Sequence, residues 1–334
     1  MAKNIKDENQ LLEATLKEIE KKFGKESIMI LGQKPEITPE VFSSGSISIN
    51  RALGIGGWPK GRIIEVYGPE SSGKTTIALH AIAEIQKLGG IAAFIDAEHS
   101  IDPNYAKNVG VDIDNLILSQ PDSGEQALEI VDSLAKTGAI DLIVVDSVAA
   151  LVPEVELQGE MRDQVVGAQA RLMSKALRKI TGSLAKNKTT IIFINQIREK
   201  IGVIFGNPET TSGGRALKFY SSIRLEVRKQ QNLTSNGDIL GNQVKCKVVK
   251  NKLAAPYKNA QIEIIFSQGI SLTSEIINFA EEFGILTKKG SWYSYENENI
   301  AQGVANLQLL LETNHDLFKK IKTQVEDKMN NIEQ

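Results

Sequence analysis

One eight-residue stretch constrains the fold of this chain more than any other. It runs Gly68-Pro69-Glu70-Ser71-Ser72-Gly73-Lys74-Thr75 and fits G-x-x-x-x-G-K-[ST], the pattern of a phosphate-binding P-loop. The apolar run at 62–67 predicts a buried strand before it, and residues 76–83 predict a helix after it. A P-loop joins a strand to a helix, so this context indicates an α/β fold with an anion site at the turn.

The chemistry of the loop predicts a role for each residue type. Glycines let the backbone curl so that its N–H groups point inward at an anion. Lys74 is expected to bridge the β- and γ-phosphates of ATP, and the Thr75 hydroxyl to hold Mg²⁺. The predicted nucleotide ligands are consecutive residues of the loop and first helical turn: Gly68, Pro69, Glu70, Ser71, Ser72, Gly73, Lys74, Thr75 and Thr76.

Further apolar runs predict the rest of the core. They are continuous rather than alternating, which is typical of strands covered on both faces, so we expect a mostly parallel central sheet flanked by helices. The predicted strands lie at 91–96, 141–146 and 189–196, with helices at 125–136 and 171–186. Later strands, at 223–229, 244–249 and 261–266, follow one another without long helices and should extend the sheet in partly antiparallel fashion.

Three parts are predicted along the 334 residues. Residues 1–33 predict an N-terminal helical arm, residues 34–269 the P-loop core, and residues 270–334 a small C-terminal α+β domain whose first helix is capped by Ser274. The arm carries one apolar stripe, which could pack on its own domain or on a neighbouring subunit. The residues of the stripe are Leu12, Leu16, Ile19 and Phe23.

Bulk properties exclude several classes of protein. The net charge of −2 gives no overall attraction to nucleic acid, so a role on DNA must depend on local basic patches. Cys246 is the single cysteine, which suits a reducing cytoplasm. No apolar stretch approaches the roughly 20 residues that span a bilayer, so no membrane partner is expected.

Polar residues at strand ends predict the chemistry around the loop. Asp146 ends an apolar strand about 70 residues after the P-loop, where an aspartate can hold Mg²⁺ through water. Asp96 and Glu98 follow another strand, and a carboxylate there can orient the water that attacks the γ-phosphate. Position alone does not separate these two. Gln196 ends a further strand, and its amide can hydrogen-bond a γ-phosphate without repelling it.

Two loops and a helix predict a nucleic-acid surface. The Gly-rich loop at 197–214 mixes basic and apolar residues and starts at Gln196, which suggests a segment that nucleotide switches. The loop at 157–167 precedes a helix with one basic face, formed by Arg171, Lys175 and Arg178. Together they would make a phosphate-binding channel. A lysine cluster that includes Lys250 and Lys252 could reach another anion, such as ATP on a neighbour.

Blocks along nearly the whole chain make it resemble the bacterial RecA family of DNA strand-exchange recombinases. The resemblance implies a DNA-dependent ATPase of homologous recombination and DNA repair. It also implies a head-to-tail filament on single-stranded DNA, pairing with double-stranded DNA, and promotion of repressor self-cleavage in the SOS response. The blocks are Phe23-Gly24-Lys25, the P-loop with Thr76, Phe94-Ile95-Asp96-Ala97-Glu98-His99, Val144-Val145-Asp146-Ser147-Val148-Ala149-Ala150-Leu151, Phe193-Ile194-Asn195-Gln196-Ile197-Arg198, Gly206-Asn207-Pro208-Glu209-Thr210-Thr211 and Ala216-Leu217-Lys218-Phe219-Tyr220.

The resemblance also implies roles that spacing does not give. Glu98 rather than Asp96 would be the catalytic carboxylate, and Gln196 would couple the γ-phosphate to the long loop. Asp102 and Tyr105 would contact the adenine end of ATP, while Lys250 and Lys252 would act on the ATP of a neighbouring subunit, whose surface the first helix would also contact. The predicted DNA-binding residues lie in the two loops and beside them: Val166, Arg171, Arg178, Arg198, Ile201, Gly213 and Gly214.

Two segments depart from the family pattern. Met161-Arg162 in the first loop is bulkier and more basic than the small residues expected there. The tail from residue 325 is only weakly acidic, which predicts weaker inhibition of duplex binding. Three rival hypotheses remain at this stage: a closed-ring helicase, a small-molecule P-loop kinase, and a non-enzymatic co-regulator of a repressor.

Overall fold

The computed structural model describes residues 5–24, 27–28, 39–160, 167–199, 206, 208–235 and 237–332. Contacts divide the chain into two compact units, Met1–Pro39 and Glu40–Gln334. In the first unit, helix α1 spans Ile5–Phe23 and carries Lys21 and Lys22 in its last turn. Cations there interact favourably with the negative end of the helix dipole.

The second unit contains the sheets and the remaining helices. Its strands are β1 Val41–Phe42, β2 Trp58–Pro59, β3 Ile63–Gly68, β4 Ala92–Asp96, β5 Ile117–Ser119, β6 Leu142–Asp146, β7 Thr190–Glu199, β8 Glu209–Thr211, β9 Ile223–Ser235, β10 Asp238–Asn251, β11 Asn259–Ile265, β12 Gly269–Ile270, β13 Leu286–Lys289, β14 Trp292–Tyr295 and β15 Glu298–Gln302. Its helices are α2 Ile47–Leu53, α3 Lys74–Lys87, α4 Pro103–Val109, α5 Gly124–Thr137, α6 Glu154–Gln158, α7 Ala168–Asn187, α8 Ala216–Tyr220, α9 Leu272–Glu282, α10 Val304–Thr313 and α11 His315–Ile332.

Within the described residues, ten strands form one sheet in the order β12-β11-β10-β9-β3-β7-β6-β4-β5, with β8 added to β7. Every pair from β9 to β5 is parallel, whereas β9 to β12 pair antiparallel. The predicted α/β class, with a mostly parallel sheet extended in antiparallel fashion, is confirmed. The strand β3 that leads to the P-loop lies in the interior of this sheet, between β9 and β7.

Helices cover both faces of the sheet because each strand is apolar on both faces. On one face, Ile64 and Ile192 pack with Ile77, Ala81 and Ile85 of α3 in one buried cluster. On the other face, strand residues pack with α5 and α7 in a second buried cluster, which includes Ile63, Phe193, Val131 and Leu177.

Helix ends follow local capping chemistry. Side chains that accept backbone hydrogen bonds begin helices, and glycines in the left-handed region end them. The N-caps include Ser46, Asp102 and Ser123, and the C-caps include Gly54, Gly110 and Gly138. The prediction that Ser274 caps α9 is wrong. Ser271 is the cap, since its hydroxyl accepts from Ser274 N, while the Ser274 hydroxyl is buried and donates to Glu263.

The C-terminal segment builds a third apolar cluster beneath a three-stranded antiparallel sheet, β13-β14-β15. Glu275 of α9 ties this segment to the core. Its carboxylate is 1% exposed and accepts hydrogen bonds from the Ser46 hydroxyl, Ile47 N and Ser48 N at the start of α2. A carboxylate is stabilised at a helix N-terminus, where free N–H groups and the dipole both favour negative charge.

The part of the chain that the structure describes holds no helix long and apolar enough to cross a membrane.

His80 of α3 is a buried titratable group that links this helix to the end of the sheet. Its Nε2 accepts a hydrogen bond of 2.8 Å from Ile270 N, and a Cβ added to Gly45 or Gly269 would lie within 3 Å of its side chain. Burial lowers the pKa of His80 from 6.5 to about 4. The unfolded chain therefore takes up a proton on this group at a higher pH than the folded protein does.

We predict that His80 makes the fold sensitive to mild acid. Its stabilising contribution is complete above pH 6.5 and should be lost as the pH falls toward 4, at a cost of about 3 kcal/mol in the free energy of unfolding. In H80Q the Gln oxygen can accept the Ile270 N–H but never titrates. Urea unfolding of both proteins from pH 7.5 to 4 should show a smaller loss in H80Q, and parallel pH profiles would contradict the assignment.

Candidate functional site

The P-loop leaves the end of β3 through two glycines that no other residue could replace without movement. A Cβ at Gly68 would lie 2.0 Å from the carbonyl oxygen of Val227 on β9. Gly73, which precedes α3, has a φ of +94°, and a Cβ there would lie 2.4 Å from Ile264 Cδ1. The loop is therefore pressed against the antiparallel part of the sheet, and its curled backbone leads directly into the N-terminus of α3.

Thr75 and Asp146 meet as the sequence predicted for a metal site. The Thr75 hydroxyl donates a hydrogen bond of 2.7 Å to Asp146 Oδ2, joining the first turn of α3 to the end of β6. Lys74 Nζ donates to the carbonyl oxygen of Pro69 at 2.6 Å, within its own loop. A hydroxyl and a carboxylate oxygen at this spacing are ligands that suit Mg²⁺ when phosphate and water complete the shell.

Burial sets the protonation of these groups. Burial raises the pKa of Asp146 to about 6, and the nearby charges of Glu98 and Asp96 raise it as well. The hydrogen bond from Thr75 and the charge of Lys74 oppose this rise in pKa. Burial also lowers the pKa of Lys74, although Asp146, Glu98 and Glu70 oppose that shift. A buried cation and a buried carboxylate side by side are suited to a ligand that carries both negative charge and a cation.

A cavity of about 250 Å³ lies over the loop. Tyr105 lines it, half-buried, and its hydroxyl shares a hydrogen bond of 2.7 Å with the Thr76 hydroxyl. Phe266 and Asn242 line it from the far strands, and the sequence analysis missed both. Their only signal in the sequence was a position near the end of a predicted strand.

Asp102 has a structural role that the sequence analysis did not foresee. It is the N-cap of α4, where Oδ1 accepts hydrogen bonds from Asn104 N and Tyr105 N. The cap fixes the start of the helix turn that carries Tyr105. The contact of Asp102 with the adenine end of a nucleotide stays a prediction.

The structure gives Asp96 and Glu98 different surroundings. Asp96 is fully buried, and its two oxygens accept hydrogen bonds from Ser100 N, Ile101 N and Gln120 Nε2. Glu98 is exposed, and its Oε1 accepts from the Ser147 hydroxyl at 2.5 Å and from Gln196 Nε2 at 2.9 Å. Asp96 therefore organises the turn after β4, while Glu98 presents a carboxylate beside the P-loop lysine and aspartate.

Gln196 directly precedes the stem of the long loop. Beyond it, β7 continues to Glu199 and pairs antiparallel with β8, with Ile197 opposite Thr211 and Glu199 opposite Glu209. The side chain that donates to Glu98 therefore belongs to the residue directly before a two-stranded stem. Ile201 lies outside the described residues, as do Val166 and the departure at Met161-Arg162.

The far end of the long loop packs on α7. Gly213 and Gly214 both have left-handed φ values, and a Cβ at either would come within 3 Å of Val148 or Ala170. Gln169 of α7 accepts from Gly213 N through Oε1 and donates through Nε2 to the carbonyl oxygens of Val148 and Leu151. Gln169 was not predicted from the sequence. It joins the end of the loop at 197–214 to α7, the helix that follows the loop at 157–167.

The predicted basic residues of this region lie at the surface. Arg171 and Arg178 are exposed on α7, on the side opposite buried Met173 and Leu177, and Arg198 is exposed on the stem. One basic helix face and one basic stem residue are thus available to phosphates. Their contact with DNA stays a prediction.

Lys250 and Lys252 lie together at the C-terminal end of α8. Lys250 Nζ donates to the carbonyl oxygens of Lys218 and Phe219, and Lys252 Nζ donates to that of Phe219. Burial lowers the pKa of Lys250 to about 8, and the charges of Lys252 and Arg224 also lower it. The charge of Glu65 opposes this fall in pKa. In the described part of the chain, neither lysine bonds to a P-loop residue.

A larger cavity, of about 700 Å³, lies between α2, the outer strands and α9. None of the predicted site residues lines it. We place the site at the smaller cavity because the P-loop and Tyr105 line it and Asp146 is hydrogen-bonded to Thr75 at its edge.

Comparison with known proteins agrees with this geometry. The model of the RecA N-terminal domain matches residues 10–271, and that of the RecA C-terminal domain matches residues 274–330. Protein RecA of Mesomycoplasma hyopneumoniae (strain 7448) is 72% identical over 98% of this chain and 97% of its own length. Protein RecA of Bacillus subtilis (strain 168) is 58% identical over 97% of this chain and 93% of its own length. The chain belongs to the RecA family.

Proposed function

We propose that ATP and Mg²⁺ at the P-loop switch this protein into a filament on single-stranded DNA that pairs the strand with a homologous duplex. As a RecA family member, the chain is a DNA-dependent ATPase of homologous recombination and DNA repair. One observation carries the proposal. The hydrogen bond from Gln196 to Glu98 joins the carboxylate beside the P-loop to the residue directly before the loop stem.

The residues present fit a magnesium nucleotide. Ser72 Oγ, inside the P-loop, is buried without a hydrogen-bond partner among the described residues, as expected of a group that faces a ligand. Mg²⁺, when bound, would neutralise charge on the phosphate oxygens. Thr75 and Asp146 are the protein groups placed to hold it, and the described residues form no cluster of three His, Cys, Asp or Glu for a protein-only metal site. That pattern suits Mg²⁺, which keeps water and phosphate ligands.

Glu98 is the group best placed to take a proton from water. Ser147 and Gln196 hold its Oε1, which leaves Oε2 for a water molecule. If Gln196 turned toward a γ-phosphate, Glu98 would lose one donor and the stem would move with the glutamine. We propose this exchange of partners as the switch between nucleotide and DNA loop.

The two lysines complete the site of a second subunit. On β3, Gly68 follows Ile64 by four residues, about 13 Å along a strand. Ile64 is opposite Ile223 on β9, and Lys250 is opposite the next residue, Arg224. Arg224 is also opposite Glu65, so Lys250 lies level with Glu65, three residues or about 10 Å before Gly68 and toward the amino end of β3. A head-to-tail contact brings such positions together, and it propagates as a filament when its rotation does not close into a ring.

The remaining parts of the proposal follow from family membership. Residues 1–33 would form an arm that packs on the next subunit, residues 34–269 the ATPase core, and residues 270–334 the small C-terminal domain. Asp102 and Tyr105 would face adenine, and the loops with Val166, Ile201 and Gly213 would face DNA. The filament would act in the cytoplasm and promote repressor self-cleavage in the SOS response.

We predict that single-stranded DNA stimulates ATP hydrolysis and that K74A loses at least about 100-fold of the stimulated rate, because Lys74 is the cation aimed at the phosphates. K186A, which removes an exposed lysine at the end of α7, should keep the wild-type rate. Thermal unfolding should show K74A folded. Equal turnover with and without DNA would contradict the proposal and favour a small-molecule kinase, and closed rings in electron micrographs would favour a helicase.

We predict that K250A and K252A each lose at least about 100-fold of the DNA-stimulated rate, as expected when a cation is removed from the transferring phosphate. Mixing K250A with K74A should restore activity. In a random filament, about a quarter of the interfaces would join an intact P-loop to intact lysines. A mixture that stays as inactive as its components would show that the lysines do not act across subunits.

A further inference from the structure

A buried polar cluster lies in the sheet next to the site and has no part in the chemistry described so far. Glu65 of β3 is fully buried, and Arg224 of β9 is 12% exposed. Arg224 Nε donates to Glu65 Oε2 at 2.5 Å, and Asn195 Nδ2 of β7 donates to Glu65 Oε1 at 3.0 Å. Three neighbouring strands thus meet in one hydrogen-bonded group.

Asn195 holds both ends of the long loop. Its Oδ1 accepts from Gln196 N at 2.9 Å, where the stem begins. Its Nδ2 donates to the carbonyl oxygen of Ser212 at 3.1 Å, where the chain returns from β8. The side chain of Asn195 is fully buried, and its partners Gln196 and Ser212 are partly buried.

Glu65 fixes which way the Asn195 amide faces. A carboxylate only accepts hydrogen bonds, so the amide must turn its NH₂ toward Glu65 and Ser212 and its oxygen toward Gln196 N. With the amide reversed, an oxygen would face Glu65 and Ser212, and an NH₂ would face an N–H donor. The carboxylate therefore favours the one orientation that satisfies all three partners.

Stability does not explain a buried ion pair at this position. Desolvation of two charges cancels much of their attraction, and well-packed apolar residues are often as stable as a buried pair. What an apolar trio could not do is orient an amide between two loop ends. The cluster is thus better explained by positioning than by stability.

We propose that Asn195, oriented by Glu65, is a positioning residue that couples the nucleotide site to DNA binding by holding both ends of the loop as one unit. The inference rests on the proposed function. When Gln196 moves, its backbone N–H pulls on Asn195 Oδ1, and Asn195 Nδ2 pulls on the Ser212 carbonyl oxygen. Both strands of the stem then move together instead of the first strand alone.

The test measures this coupling directly. The affinity for a fluorescent single-stranded oligonucleotide is determined with and without a non-hydrolysable ATP analogue, and the ratio of the two affinities is the coupling. In N195D the oxygen that accepts from Gln196 N remains, but the donors to Ser212 and to the Glu65 carboxylate are lost. We expect the ratio to fall about tenfold, with DNA affinity in the absence of nucleotide unchanged.

Two further variants separate coupling from folding. In the double variant E65Q/N195D the pair exchanges donor and acceptor at constant charge, so the Gln amide can donate to the Asp carboxylate and recover stability. The Ser212 carbonyl still lacks its donor, so the coupling should stay low. N187D makes the same change where an amide donates to the carbonyl oxygens of Ala135 and Lys136, far along the chain from the loop, and should keep the coupling.

Each outcome decides one point. Wild-type coupling in N195D, recovery of coupling in the double variant, or equal loss in N187D would overturn the role of Asn195. Loss in N195D and in the double variant alone would support it. If the DNA affinity of the wild-type protein were the same with and without the ATP analogue, the proposed function would instead be overturned.

Discussion

The parallel pairing of β3, β7, β6 and β4 is the constraint on which the rest of the site depends. Parallel strands bring their carboxyl ends to one edge of a sheet, where ligands bind in open α/β folds. Gly68 is opposite Gln196, and Asp96 is opposite Asp146. A slip of one residue in any of these pairs would turn a site side chain to the other face of the sheet. The chemistry thus depends on register before it depends on any single hydrogen bond.

In the proposed filament, the antiparallel half of the sheet is the reason that the two lysines act on a neighbouring subunit. The chain runs away from the P-loop edge on β10, so Lys250 and Lys252 emerge toward the amino end of β3, against α8. The same strands press on the loop from the side, since Val227 and Ile264 set how closely Gly68 and Gly73 must pass. The antiparallel strands therefore limit the space around the P-loop and also place Lys250 and Lys252 away from it.

Much of this arrangement follows from the sequence because apolar runs fix strands and polar residues end them. Asp146 and Gln196 follow in this way and the P-loop follows from its sequence pattern, and the structure brings the three together. Asp96 and Glu98 could not be separated, because both follow the same strand and only tertiary hydrogen bonds distinguish them. Phe266 and Asn242 were missed because they reach the cavity from β10 and the end of β11, which are remote in sequence. Ser271 displaced Ser274 as a cap because Ser274 turns inward to Glu263.

Hydrogen-bond satisfaction separates two kinds of buried polar group around the site. Ser72 Oγ and Asn242 Oδ1 line the nucleotide cavity and have no partner in the described part of the chain. Asn195 and Gln169 instead use their amide groups on Gln196, Ser212 and Gly213 and on the turn after β6. An unpartnered buried oxygen costs free energy that a ligand can recover, whereas a satisfied amide resists any movement that breaks its bonds. The first kind therefore suits binding, and the second suits transmission of that binding to the loops.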